Sequence, residues 1–209
     1  MTSKTRSLTL SLALLVGFLM AMPSTAQTFN VRQAAAQGAD SATLALVEFS
    51  DLQCGFCARH NRETLPQIVE KYVDTGKLRY VLMDLPLNFH KNAFRAAVAA
   101  RCAGDQGKLW EMHDLLFSRQ QALEEARLPG YAADLELDSE SFDACMAESD
   151  HPAAIRRDIQ QATDLGITAT PIFVLGRYDG ETGTVEVIQQ IRGAKPFSVF
   201  QAAIERQLQ

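Results

Sequence analysis

The chain has 209 residues, 47% of them hydrophobic and 22% charged, with a formal net charge of −5. That length supports one domain with a full core. The acidic balance, with no basic cluster and no repeated aromatic-basic interleaving, argues against a nucleic-acid partner.

The N-terminal residues carry Lys4 and Arg6, then an apolar run from Leu8 to Met22 broken only by Thr9, Ser11 and Gly17, then Pro23-Ser24-Thr25-Ala26. Charge, apolar run and small residues in that order predict a secretory signal peptide over 1–26, with Ser24 and Ala26 at the cleavage positions and Gln27 first in the mature chain. The apolar run is short of the roughly 20 residues that a membrane span needs, and no later stretch is a candidate. An uncleaved signal anchor is the alternative. The expected location is the periplasm or another extracytoplasmic space, where disulfides persist. Residues 27–209 are then one domain.

Residues 27–42 are small and polar and predict a loop. The run Thr43 to Ser50 is almost continuously apolar, as in a strand covered on both faces. After Asp51-Leu52-Gln53 comes Cys54, and a helix is predicted through Ala58, Leu65, Ile68 and Tyr72 to a stop near Gly76, kinked or divided by Pro66. Leu78 to Met83 predicts a second strand, completing a β-α-β unit. A helical region follows: Phe94, Ala97 and Val98, then Leu109, Trp110, His113, Leu116 and Phe117, recur at spacings of three and four. Pro129-Gly130 predicts a turn, Leu135 to Met146 a helix, and a further helix starts near Pro152 and is capped by Gly166. Two strands over 172–175 and 185–188, joined by a Gly-rich turn, predict a hairpin. A last helix starts at about Pro196. The order is β-α-β, a helical insertion at about 87–166, then β-β-α.

Cys54-Gly55-Phe56-Cys57 falls after a buried strand and at the start of a helix, where unpaired backbone N–H groups and the helix dipole stabilise a thiolate. Cys54, expected to be exposed, would attack, and Cys57, one turn further in, would resolve the mixed disulfide. Such a pair can also bind zinc or close a structural bridge. Zinc needs a further ligand, and no second Cys-x-x-Cys supplies one, so no metal and no cofactor are expected. Glu48, within the apolar strand, is expected to have a raised proton affinity and to exchange a proton with Cys57; the alternative is a solvent-facing carboxylate. Pro171 opens a strand, and a cis Thr170-Pro171 bond would let the backbone approach the dithiol. Cys102 and Cys145, 43 positions apart, either pair with each other or pack as free thiols. His60 either shades the local field or lies at the surface, and His90, His113 and His151 show no spacing that demands a metal. Glu124-Glu125 and the acids from Asp134 to Asp143 predict a solvated helical face.

Taken together, Val47-Glu48-Phe49-Ser50-Asp51, Cys54-Gly55-Phe56-Cys57, Leu87 to Phe117 with Gln106-Gly107-Lys108-Leu109-Trp110, Thr170-Pro171-Ile172-Phe173 and Ile191-Arg192-Gly193-Ala194 resemble the DsbA-like thiol-disulfide oxidoreductases, over nearly all of 42–208. The resemblance implies an α/β thioredoxin fold with a helical insertion. It also implies Cys54 as reactive thiolate, Cys57 as resolving partner, Glu48 as buried proton carrier, Pro171 as a cis-proline facing the dithiol, and Thr170 as a residue that contacts the substrate backbone and tunes the thiolate. Phe56 and Pro171 would form an apolar rim for substrate chains. Some members of the branch carry a disulfide within the insertion, which would match Cys102 and Cys145. The chain departs from the strong oxidases in having Gly55-Phe56 where they have Pro-His, which takes away one source of thiolate stabilisation. Implied partners are exported cysteine-containing proteins and a membrane redox partner. Competing readings are a non-catalytic chaperone or binding module for unfolded exported proteins, and copper handling by the Cys54 and Cys57 thiolates.

Overall fold

The computed structural model describes residues 26–209; the signal peptide expected over 1–26 lies, but for Ala26, outside the described residues. A mixed six-stranded sheet has the order β1-β6-β5-β3-β4-β2, with β1 at Thr28–Asn30, β2 at Ala35–Gln37, β3 at Leu44–Ser50, β4 at Arg79–Asp84, β5 at Ile172–Asp179 and β6 at Thr184–Arg192. All seven residues of β3 are buried, and the strand runs parallel to β4 and antiparallel to β5. Its apolar run therefore has the place it predicts, between two strands and under helices on both faces.

The two-residue strand period sorts β3 into two cores. Ala45, Val47 and Phe49 face a layer containing Ala162 and Leu165, while Leu44 and Leu46 face Leu65, Ile68, Phe200 and Ile204. Glu48 shares the parity of Leu44 and Leu46, so its carboxylate points toward the side carrying the first helix.

That first helix, α1, spans Gly55–Glu63; α2 spans Leu65–Ile68 and passes into a π-helical turn at Val69–Val73. The division falls at Thr64, two residues before Pro66, which places the proline in a new first turn, where it is tolerated, and not in a helix interior. Between β4 and β5 lie α3 at Ala93–Asp105, α4 at Leu109–Ser118, α5 at Leu128–Asp134, α6 at Ser139–Glu148 and α7 at His151–Asp164. These pack around Val98, Cys102, Met112, Leu116, Leu128, Phe142 and Ile155, in the cluster that also receives Cys54 and Cys57. Arg101 bridges Asp84 of β4 and Asp158 of α7, tying the helices to the sheet. The final helix, α8, spans Phe197–Gln207.

Three expectations change. Residues 27–42 contribute two edge strands, β1 paired with β6 and β2 with β4. Open backbone donors and acceptors at a sheet edge recruit a passing segment whatever its side chains, and three residues are too few to show a period. Pro129 and Gly130 lie inside the first turn of α5, where proline's missing N–H costs nothing. The helix expected over 135–146 is interrupted: Glu136 has φ 57°, and α6 restarts where the Asp138 side chain accepts from the Ser141 N–H. Gly166 does cap α7, at φ 68°, with the Ile167 N–H donating to the Ala162 carbonyl at 2.8 Å.

Candidate active site

The turn joining β3 to α1 is built by Asp51. Its Oδ1 accepts from the Gln53 N–H at 2.7 Å, while its Oδ2 accepts from the Leu87 N–H at 2.7 Å and lies 2.8 Å from His90 Nδ1. Gln120 Nε2 donates to the Leu52 and Cys54 carbonyls at 2.8 and 3.1 Å, so the helical region also grips this turn. Cys54 then stands at the N-cap of α1 in extended conformation, and Cys57 follows one turn in.

The two thiols differ sharply. The Cys54 pKa is lowered from 9.0 to about 5, first by the hydrogen bond from the Cys57 thiol, against the opposing effect of burial. The Thr170 hydroxyl, buried and without another partner, and the backbone N–H groups of Cys57 and Phe56 add to the lowering. Burial pushes Cys57 well above 9.0, reinforced by Cys54 and by the charge of Glu48. Exposure does not separate them as expected: Cys54 is only 7% exposed and Cys57 fully buried. The reason is the loop before β5, which covers Cys54. Thr170-Pro171 is cis, and the Thr170 carbonyl lies 3.5 Å from Cys54 Sγ. The Gly193 N–H donates to the Pro171 carbonyl at 2.9 Å and holds that loop to the end of β6. Beside the thiol, Phe56 projects 58% exposed, with the Arg59 guanidinium 5.0 Å from its ring centroid.

Glu48 lies beneath, 2% exposed. Ser50 Oγ donates to its Oε1 at 2.9 Å, and the Tyr80 hydroxyl donates to its Oε2. Ser50 also acts on the Cys57 thiol, as the smallest of the influences on it and a lowering one, so this hydroxyl stands near both the carboxylate and the inner sulfur. His60 is neither a surface residue nor a simple neighbour of the dithiol. It is fully buried, with Nε2 3.4 Å from the Tyr80 hydroxyl and its ring 4.4 Å from that of Phe173. Burial lowers its proton affinity and favours the neutral ring. Ser50, Tyr80 and Gln120 thus complete a site in which the sequence and its family resemblance mark Glu48, Cys54, Phe56, Cys57, Thr170 and Pro171. Tyr80 and Gln120 are joined to it only by the pairing of β3 with β4 and by helix packing, and no motif announces either.

Away from this site, Cys102 of α3 and Cys145 of α6 are joined as a disulfide. His151, which shows no metal-ligand spacing in sequence, lies beside that pair.

A family profile described as Thioredoxin matches residues 30–191. Among solved structures, alpha-DsbA1 of Wolbachia pipientis superposes with a TM-score of 0.72 at 26% identity, covering 84% of this chain and 90% of that one. DsbA2 of Pseudomonas aeruginosa gives 0.66 at 27% identity, over 83% and 93%. A thioredoxin-like oxidoreductase of Silicibacter pomeroyi gives 0.70 at 25% identity, over 84% and 92%. Among curated relatives, a Na(+)/H(+) antiporter NhaA of Herminiimonas arsenicoxydans is 38% identical over 168 residues, 76% of this chain but 26% of that protein. NhaA 1 of Salinispora arenicola is 36% identical over 154 residues, 73% and 23%. The chain spans about a quarter of the length of these relatives, and among the described residues no helix is long and apolar enough to cross a membrane.

Proposed function

The chain belongs to the thioredoxin family as a DsbA-like thiol-disulfide oxidoreductase, and from that premise we propose that it forms disulfides in exported proteins through Cys54 and Cys57. The observation that carries the direction is the divided pair of thiol pKa values, with Cys54 at about 5 and Cys57 well above 9.0. A stabilised thiolate favours the reduced dithiol and so makes its disulfide the better oxidant. The thiolate support comes from Cys57, Thr170 and backbone N–H groups, without the histidine that Gly55-Phe56 lacks.

In the proposed cycle a substrate thiolate attacks Cys54 Sγ, the Cys54–Cys57 bond breaks, and the electron pair leaves on Cys57. Cys57 takes up a proton there, with Ser50 and Glu48 as the local route. A second substrate thiolate then attacks the substrate sulfur of the mixed disulfide, and Cys54 leaves as the thiolate, quickly because its pKa is low. The substrate loses two electrons and two protons; the protein gains two electrons and one proton, and the other proton goes to solvent. A disulfide-bearing membrane partner would reverse this on the protein. Thr170 and Pro171 would align the substrate backbone, and Phe56 would supply apolar contact. The leader-like pattern of 1–26 and the Cys102–Cys145 bridge support an extracytoplasmic site of action. Antiport is not carried over from relatives of which this chain matches only a quarter.

The test is the Cys54–Cys57 reduction potential in glutathione buffers. A value near about −120 mV is expected of a strong oxidant, whereas about −200 mV or lower would move the protein to isomerase or reductase work. Failure of the pair to equilibrate would remove exchange altogether and leave a binding module.

A further inference from the structure

The corner where α3, α6 and α7 meet carries chemistry that the exchange reaction does not use. Donor atoms of Cys102, Cys145 and His151 all lie within 4.8 Å of one another. Asp105, at the end of α3, places Oδ2 3.4 Å from Cys145 Sγ and 2.8 Å from His151 Nε2. Two sulfurs, an imidazole nitrogen and a carboxylate oxygen are a ligand set that suits Zn2+. In tetrahedral zinc sites, bond lengths of about 2.0 to 2.3 Å put neighbouring donors about 3.3 to 3.8 Å apart. The Asp105–Cys145 spacing of 3.4 Å falls in that range, while the sulfurs, bonded to each other, and the Asp105–His151 pair at 2.8 Å reach it only by moving apart once the disulfide opens.

We propose that Cys102, Cys145, His151 and Asp105 form a Zn2+ site that exists only when the Cys102–Cys145 disulfide is reduced. In the oxidised protein the sulfurs are spent on each other and have no thiolate to offer. A dithiol reductant attacks at Cys145, since Cys102 is fully buried and Cys145 only partly so. The Cys102–Cys145 bond breaks and takes two electrons and two protons, while the reductant closes its own disulfide. Zn2+ then displaces the two thiol protons to solvent, and the neutral imidazole and the carboxylate complete the site. A cavity of about 300 Å³ lined by Asp84, Arg101, Trp110, Asp105 and His151 touches two of the four proposed ligands. Helices α3 and α6 stay clamped in either state, by the disulfide when oxidised and by the metal when reduced.

The experiment uses protein carrying Cys54→Ser and Cys57→Ser, so that the dithiol cannot bind metal. Reduced with a phosphine and titrated with Zn2+ against a chromophoric chelator, it is expected to bind one equivalent; the oxidised protein binds none. Co2+ in place of Zn2+ should give thiolate-to-cobalt charge transfer and the intense visible bands of a four-coordinate ion. Asp105→Asn should weaken binding on the order of tenfold, and His151→Ala by more. The proposal is overturned if the reduced protein takes up no Zn2+, or if His151→Ala leaves its affinity unchanged. Near-ultraviolet circular dichroism monitors the fold throughout, and a reduced protein that unfolds and is not refolded by Zn2+ overturns it equally.

Discussion

The two cysteine pairs are made of the same atoms and have opposite surroundings. Cys54 and Cys57, free thiols in this structure, share the first turn of one helix, so a bond between them would form within that turn alone. Their thiols are held far apart in proton affinity, at about 5 and well above 9.0. Cys102 and Cys145 lie 43 residues apart on two helices, and their bond closes a long loop through the insertion. The first pair is placed for chemistry by a helix N-terminus and a facing loop; the second restrains the chain by joining distant segments. Position in the fold, rather than the presence of a cysteine pair, separates a reactive disulfide from a structural one.

The contrast breaks most completely if either pair can be removed without its own distinct loss. Cys54→Ser should abolish disulfide exchange in a dithiol-oxidation assay, while the urea midpoint, read below about pH 5 where the Cys54 thiolate contributes nothing, stays near that of the reduced parent. Cys102→Ala with Cys145→Ala should do the reverse. Loss of the 43-residue loop closure lowers stability by about 4 kcal/mol in urea unfolding, and exchange persists under native conditions. Exchange lost with the second pair, or stability lost with the first, would remove the division of labour.

A smaller effect concerns the polar atoms beneath the dithiol. Tyr80→Phe deletes the donor to Glu48 Oε2 and the neighbour of His60, and should cost about 1–3 kcal/mol of stability by urea unfolding. An unchanged midpoint would mean that the buried carboxylate is supported by Ser50 alone.

The finest test is the pH dependence of the Cys54–Cys57 potential. Between about pH 5 and 9 the reduced pair carries one proton, so reduction consumes two electrons and one proton, and the potential falls by about 30 mV per pH unit. Below about 5 both thiols are protonated and the slope steepens to about 59 mV. The same pKa shifts set the stability of the reduced fold. The Cys54 contribution, from a lowered pKa, is fully present above 9.0 and is lost as pH falls through about 5. The Cys57 contribution has the opposite sign: present below 9.0, it is lost as pH rises toward the folded value. A uniform slope of about 59 mV across neutral pH would show that Cys54 is no more acidic than an ordinary thiol.

What the sequence determines by itself is what is written in short range. The apolar run of β3, the three-and-four spacing in the helical region, the cap at Gly166 and the dithiol after a strand are each contained in a few consecutive residues. A resemblance spanning most of the chain turned those pieces into a family assignment. Only tertiary structure decided what depends on residues distant in sequence. It paired residues 28–30 and 35–37 with the sheet edges, an outcome governed by open backbone groups rather than by side-chain pattern. It laid the Thr170 loop over Cys54, buried His60 against Phe173 and Phe200, and brought Tyr80 and Ser50 to Glu48. It also gathered Asp105 and His151 around Cys145. Burial and proton affinity are set by whichever atoms exclude water and donate hydrogen bonds at a point in space, and those atoms come here from strands, helices and loops as far apart in sequence as His60 and Phe200.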